Sequence, residues 1–111
     1  MAKLDLSYLL TTTDGDKDFM NELIDIFISE FPIYLNDFNT ALDQKDVDSL
    51  GRIAHKVKSS VTVMGLTNLS KQLTRFENET KNGVFQNKYK DYVTFFEDEY
   101  NSAIEQLKEI E

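Results

Sequence analysis

Residues 20–42 read MNELIDIFISEFPIYLNDFNTAL, and their spacing decides the fold. Met20, Ile24, Phe27, Phe31, Leu35, Phe38 and Leu42 recur every three or four positions, which places them on one face of an α-helix. No part of the stretch alternates with the period of two that a half-buried strand requires. Pro32 has no amide proton, so it must kink this helix or open a second one at its first turn. The apolar register continues unbroken on both sides, which predicts one long kinked helix.

The same period extends in both directions. Upstream, a short helix is expected over Asp5 to Leu10, then a polar turn from Thr11 to Gly15, with Asp16 capping the long helix. Downstream, Lys45 or Asp46 opens a helix with the stripe Leu50, Ala54, Val57 and Val61, ending near Met64-Gly65. Leu66, Leu69, Leu73 and Phe76 give the next helix its apolar side, and Asn82-Gly83 closes it. The last helix runs from about Gln86 and buries Tyr89, Tyr92 or Val93, Phe96, Tyr100, Ala103, Leu107 and Ile110. With four glycines and one proline in 111 residues, the elements should be long and the turns short. The expected fold is all-α: one domain over residues 1–111, an antiparallel up-down four-helix bundle with a short extra N-terminal helix. Eight Phe and five Tyr at helical spacing are read as core. Phe19, Leu23 and Ile26 form a second stripe beside the main seam, and if the short first helix leaves it partly bare it becomes an apolar docking patch.

Composition narrows the chemistry. There is no cysteine, hence no disulfide framework and no thiolate zinc site, and no second histidine or His-carboxylate spacing suggests a metal. No glycine-rich phosphate loop is present, so autonomous kinase activity is not expected. The net charge of −8 opposes sequence-independent binding to nucleic acid or an anionic membrane. The N-terminus reaches Asp5 before any apolar run of signal length, and no run is long enough to span a bilayer. A soluble, cytoplasmic, monomeric protein is the expectation. Charge is unevenly spread: from Ser49 to Phe76 there is no acid, whereas Arg52, Lys56, Lys58, Lys71 and Arg75 all fall there. Arg52, Lys56 and Lys58 are within one helical turn of His55 and suit an acidic partner.

His55 is the only histidine. On a helix advancing 100° per residue it points roughly 130° from the centre of the Leu50/Ala54/Val57/Val61 stripe, toward water. Gly51, Ser59 and Thr62 are small and are read as sharing that exposed sector, so a second protein could bring a reactive atom up to the imidazole. Lys58, three positions on, can swing over the same spot and stabilise a transferred phosphoryl group. The cationic neighbours disfavour a protonated ring, and the neutral imidazole is the form that attacks phosphorus. These residues describe a nucleophile that takes a group from one partner and hands it to another.

Ala54-His55, Lys58, Ser60, Gly65, Leu69 and Phe76-Glu77 resemble the signature of the histidine-containing phosphotransfer (HPt) domain: Ala-His-x-Leu-Lys-Gly-Ser, a Gly ten residues after the His, then Leu and a Leu-Glu pair. Upstream, Phe19-Met20 through Phe31-Pro32 is similar to the long helix of that family, so the resemblance covers nearly the full chain. Two positions depart from it: Ser59 stands where Gly is commonest, and Val57 replaces the usual Leu. The resemblance implies that His55 accepts a phosphoryl group from a receiver-domain aspartate and passes it to another receiver. It implies Lys58 as the phosphate-stabilising lysine, Glu77 as the group that orients the imidazole, and Gly65 as the glycine that lets helices pack closely near the turn. The partners implied are response-regulator receiver domains and a hybrid histidine kinase, with Mg²⁺ supplied by the receiver and no cofactor of the chain's own. The rival reading is a non-transferring helical adaptor that binds an acidic protein through the basic residues and the Phe19/Leu23/Ile26 patch.

Overall fold

A computed structural model describes residues 2–110. The helices are α1 (Ser7–Thr13), α2 (Lys17–Asp43), α3 (Val47–Val63), α4 (Thr67–Asn82) and, after a 3₁₀ turn at Gln86–Lys88, α5 (Tyr89–Ile110). The residues 20–42 seam lies within the single unbroken helix α2, with Pro32 inside it. The start of α2 is fixed by Asp16, whose carboxylate accepts from the amides of Asp18 and Phe19 at 3.0 and 3.2 Å. Asp46 caps α3 in the same way through the Ser49 amide at 3.1 Å, while Lys45 lies in the preceding turn with φ +54°. Gly83, at φ +64°, ends α4 with its amide on the Thr80 carbonyl.

Packing joins α2 to α3, α3 to α4, α4 to α5 and α5 back to α2, which closes the four long helices into a ring. The connections α2–α3 and α3–α4 are three residues each, so neighbours run antiparallel. Ile24, Phe27 and Phe38 of the seam are buried, and Phe31, Met20, Leu35 and Leu42 pack at its margin. Aromatic rings run through the interior: Phe27 stacks on Tyr100 at 4.1 Å, Phe96 meets Phe38 edge-on at 5.0 Å, and Phe76 stacks on Tyr92 at 4.8 Å. The buried Tyr100 hydroxyl donates to the Phe27 carbonyl at 2.5 Å, satisfying the one polar atom this ring brings into the core.

Four details refine or correct the sequence expectation. α1 covers Ser7–Thr13 and takes in Thr11 to Thr13, which had read as a turn; Thr11 and Thr13 turn their hydroxyls back onto the Ser7 and Leu9 carbonyls, and Thr13 is buried. Leu66 is buried but precedes α4 in the turn. Val93 takes the fully buried position, with Tyr92 half-buried beside it. Ile110, read as the last buried residue of the final helix, is exposed.

The N-terminal segment is docked. Ala2 is buried, its carbonyl accepts from Gln106 at 2.9 Å, and the Asp5 amide donates to the Met64 carbonyl at 3.2 Å. α1 packs against α2 with Leu9 buried and Leu6 half-buried. Leu10 remains exposed, as do Phe19 and Ile26, whereas Leu23 is half-buried against the core. The second stripe is therefore covered only in part. Among the described residues no helix is long and apolar enough to cross a membrane.

Candidate functional site

The stripe Leu50, Ala54, Val57 and Val61 is buried on the inner side of α3, which turns His55 outward; its side chain is 67% exposed. The ring nevertheless does not swing freely. Nδ1 lies 3.0 Å from Glu77 Oε2 and 3.2 Å from Oε1, across the α3–α4 interface. A carboxylate can only accept, so Nδ1 is the donor and the lone pair of the neutral ring resides on Nε2. Among the described residues Nε2 has no hydrogen-bond partner.

Glu77 is only 9% exposed and is held by three donors: His55, Lys58 Nζ at 3.4 Å from Oε1, and Lys81 Nζ at 3.2 Å from Oε2. Burial pushes the Glu77 carboxyl upward, but the hydrogen bonds from His55, Lys81 and Lys58 outweigh it and hold the group below the usual range. A carboxyl depressed on folding adds stability above its unfolded value, and that stability is lost as pH falls through the folded value. Urea unfolding midpoints of the wild type should therefore drop faster than those of Glu77→Gln as pH is lowered from 6 toward 3, on the order of the acidic range. Parallel acid limbs in the two proteins would contradict this.

Gly51 is placed differently from the sequence reading. It is buried beneath α4, not on the exposed sector, because a Cβ there would collide with Thr80 Oγ1. That hydroxyl donates to the Glu77 carbonyl at 2.7 Å, so the absent side chain lets α4 come close enough to put Glu77 on the ring. Gly51→Ala should cost about 1–3 kcal/mol through overpacking. Adding Thr80→Ala leaves Cβ contact at an ordinary 3.4 Å, so the double variant should be more stable than the sum of the singles by about 1 kcal/mol. Strict additivity in chemical denaturation would refute the contact.

Gly65 also works differently from expectation. Its φ is +71°, and what a Cβ would strike is the backbone of Asp5, so it admits the N-terminal segment and not a neighbouring helix. Arg52, Lys56, Ser59 and Thr62 are exposed along α3. Arg52 donates to Ser49 Oγ at 3.1 Å, Lys56 sits over the Tyr34 ring at 5.9 Å, and Thr62 shares a hydrogen bond with Ser70 of α4 at 3.1 Å.

The region from Ser49 to Phe76 is free of acids in sequence but not in space. Glu77 comes in from α4, and Glu30 from α2, where Tyr34 donates to Glu30 Oε2 at 2.8 Å and Ser60 to Oε1 at 3.4 Å. The charge nearest the imidazole is thus the Glu77 carboxylate, at the position the resemblance gives to the imidazole-orienting residue, and the cationic neighbours lie around that contact. Sequence reasoning missed Lys81, Thr80 and the Glu30–Tyr34–Ser60 network; for Lys81 the signal was available, since Glu77 and Lys81 form an i,i+4 pair in the favourable order. Among the described residues no three metal-binding side chains come together.

A family model described as the Hpt domain matches residues 22–110. The chain belongs to the Hpt family. This Hpt chain is 26% identical over 72 residues to the phosphorelay intermediate protein YPD1 of Candida albicans; the alignment takes in 65% of the chain and spans 39% of YPD1. Its fold is similar to the crystal structure of histidine-containing phosphotransfer protein B (HptB) from Pseudomonas aeruginosa PAO1, with a TM-score of 0.86 and 23% identity, covering 96% of this chain and 91% of that one. The match to HptB bears on architecture: the Hpt helical bundle accounts for α1 to α5 as described.

Proposed function

We propose that this Hpt protein is a phosphorelay carrier of two-component signalling, in which His55 takes a phosphoryl group from a receiver aspartate and delivers it to another receiver. The observation that supports this most strongly is the exposed ring with Nδ1 anchored on Glu77, which leaves the Nε2 lone pair facing outward.

Transfer balances simply. The Nε2 lone pair forms the N–P bond as the P–O bond of the acyl phosphate breaks, and the receiver aspartate leaves as a carboxylate with the bonding pair. The ring keeps its proton on Nδ1 and becomes a phosphorylated imidazolium. Glu77, already ionised and in contact with Nδ1, stabilises that positive ring and fixes its plane. Lys58 adds positive charge beside a transition state whose oxygens carry spread negative charge. The Mg²⁺ that such a transfer uses belongs to the receiver's acidic pocket. Arg52, Lys56, Ser59 and Thr62 form the approach surface on α3, extended by the partly bare Phe19, Leu23 and Ile26 on α2. The protein has no kinase activity of its own, acts as a monomer in the cytoplasm, and takes its phosphate from receiver domains, including that of a hybrid histidine kinase.

Phosphotransfer profiling tests this. Purified receivers are phosphorylated, mixed with the protein, and the protein is examined for acid-labile, alkali-stable phosphate. Label on His55 is expected with at least one receiver of the source organism. No label across the whole set, with binding indifferent to His55 substitution, would favour a non-transferring adaptor.

A further inference from the structure

Glu30 is half-buried where α2 meets α3, and its carboxylate is fixed from two sides. The Tyr34 hydroxyl donates to Oε2 at 2.8 Å and the Ser60 hydroxyl to Oε1 at 3.4 Å. Burial pushes Tyr34 above the ordinary phenol range, so it remains a donor at neutral pH. Both donors are uncharged, so the carboxylate is oriented without being neutralised. Among the described residues no lysine or arginine pairs with it, and Lys56, one turn before Ser60 on α3, lies over the Tyr34 ring at 5.9 Å. The surface around this charge is apolar. Ile26 and Ile33, one turn before and one turn after Glu30 on α2, are 48% and 59% exposed, and Leu23 packs two turns before it at the margin of the core. Ser60 is five residues beyond His55, about 7.5 Å along the axis of α3, so a domain that covers the imidazole reaches Glu30 as well.

Covering Ile26 and Ile33 removes water from Glu30, and a carboxylate left in that state without a counter-charge is costly. Resting on the carrier reading above, we propose that Glu30 is a docking carboxylate that takes one Lys or Arg side chain of the receiver, with Ile26 and Ile33 as the rim that excludes water from the pair. Each carboxylate oxygen accepts one internal hydrogen bond and keeps a lone pair for the incoming cation. The receiver then meets two opposite demands on one face: carboxylates toward His55 and Lys58, and a cation toward Glu30. Only one rotation of the receiver about the imidazole satisfies both. A receiver that brings an acidic or apolar residue to Glu30 is rejected, because the pair cannot form once water has left.

The test takes a receiver that exchanges phosphate with the wild type and measures transfer from the phosphorylated protein against receiver concentration, at low and high salt. Glu30→Gln keeps an acceptor for Tyr34 and Ser60 but removes the charge, and Glu30→Lys reverses it. The half-saturating receiver concentration should rise about tenfold in the first and further in the second, with the maximal rate little changed and the gap from wild type narrowing as salt is raised. Replacing the receiver's surface Lys and Arg residues singly by Glu should reveal one position whose reversal restores docking to Glu30→Lys. A Glu30 that only braces Tyr34 and Ser60 would give neither the salt dependence nor the rescue. Unchanged half-saturation in Glu30→Gln, or a Glu30→Lys defect that no receiver reversal relieves, overturns the docking carboxylate while leaving His55 as the acceptor. A wild type that exchanges phosphate with no receiver overturns the carrier reading itself, and this proposal with it.

Discussion

His55→Gln should abolish phosphate labelling completely while leaving the fold and its stability essentially unchanged. The imidazole is 67% exposed, and the helix that carries it is held by Leu50, Ala54, Val57 and Val61, none of which the substitution touches. A glutamine can still donate to Glu77 through its amide, so the buried carboxylate keeps a third partner beside Lys58 and Lys81. Its amide nitrogen, however, has no lone pair able to attack phosphorus. Circular dichroism and urea unfolding should therefore overlay the wild type within about 0.5 kcal/mol, the usual range for a surface change. Residual label in this variant would show that another residue accepts the phosphate.

The largest expected loss of stability from a single added side chain is at Gly65. Its φ of +71° is a region that β-branched residues avoid, and its Cβ position overlaps the backbone nitrogen and oxygen of Asp5, which cannot rotate away as a side chain would. Gly65→Val must therefore either distort the α3–α4 turn or expel the N-terminal segment. Expulsion breaks the bond from the Asp5 amide to Met64 and uncovers Ala2, which is otherwise 4% exposed. Backbone strain, a lost hydrogen bond and lost apolar burial together amount to about 3–5 kcal/mol. Hydrogen exchange should show the loss first at the Asp5 amide, before the four long helices open. Since α1 places Tyr8 at the groove shared by Lys58, Ser59 and Thr62, the same variant should also weaken receiver docking. A stability within 1 kcal/mol of wild type would mean that the segment is not seated as described.

The long helices were legible because their signals are local. The Met20-to-Leu42 seam, the Asp16 and Asp46 caps and the Asn82-Gly83 stop each lie within a few residues of the feature they specify. The outward direction of His55 followed from the angle between it and its own helix's apolar stripe. What remained hidden depends on the approach of two segments distant in sequence. Gly51 looked like an open position because its neighbour Thr80 is on another helix, and Gly65 was assigned a helix contact when its neighbour is Asp5. The three threonines of α1 read as a turn since threonine favours caps and turns over helix interiors; two of them bond back to carbonyls four residues earlier. The charge pattern misled for the same reason, as a window along the chain cannot include Glu30 from α2.

A nucleophile exposed at the α3–α4 seam, with one ring nitrogen anchored on Glu77, offers a single side of approach. On the proposed carrier function, donor and acceptor receivers would occupy that side in turn, never together, so each delivery would require the previous visitor to depart. The relay would then run as a double-displacement cycle, with throughput capped by how fast complexes separate and with idle receivers acting as competitive inhibitors of their busy counterparts.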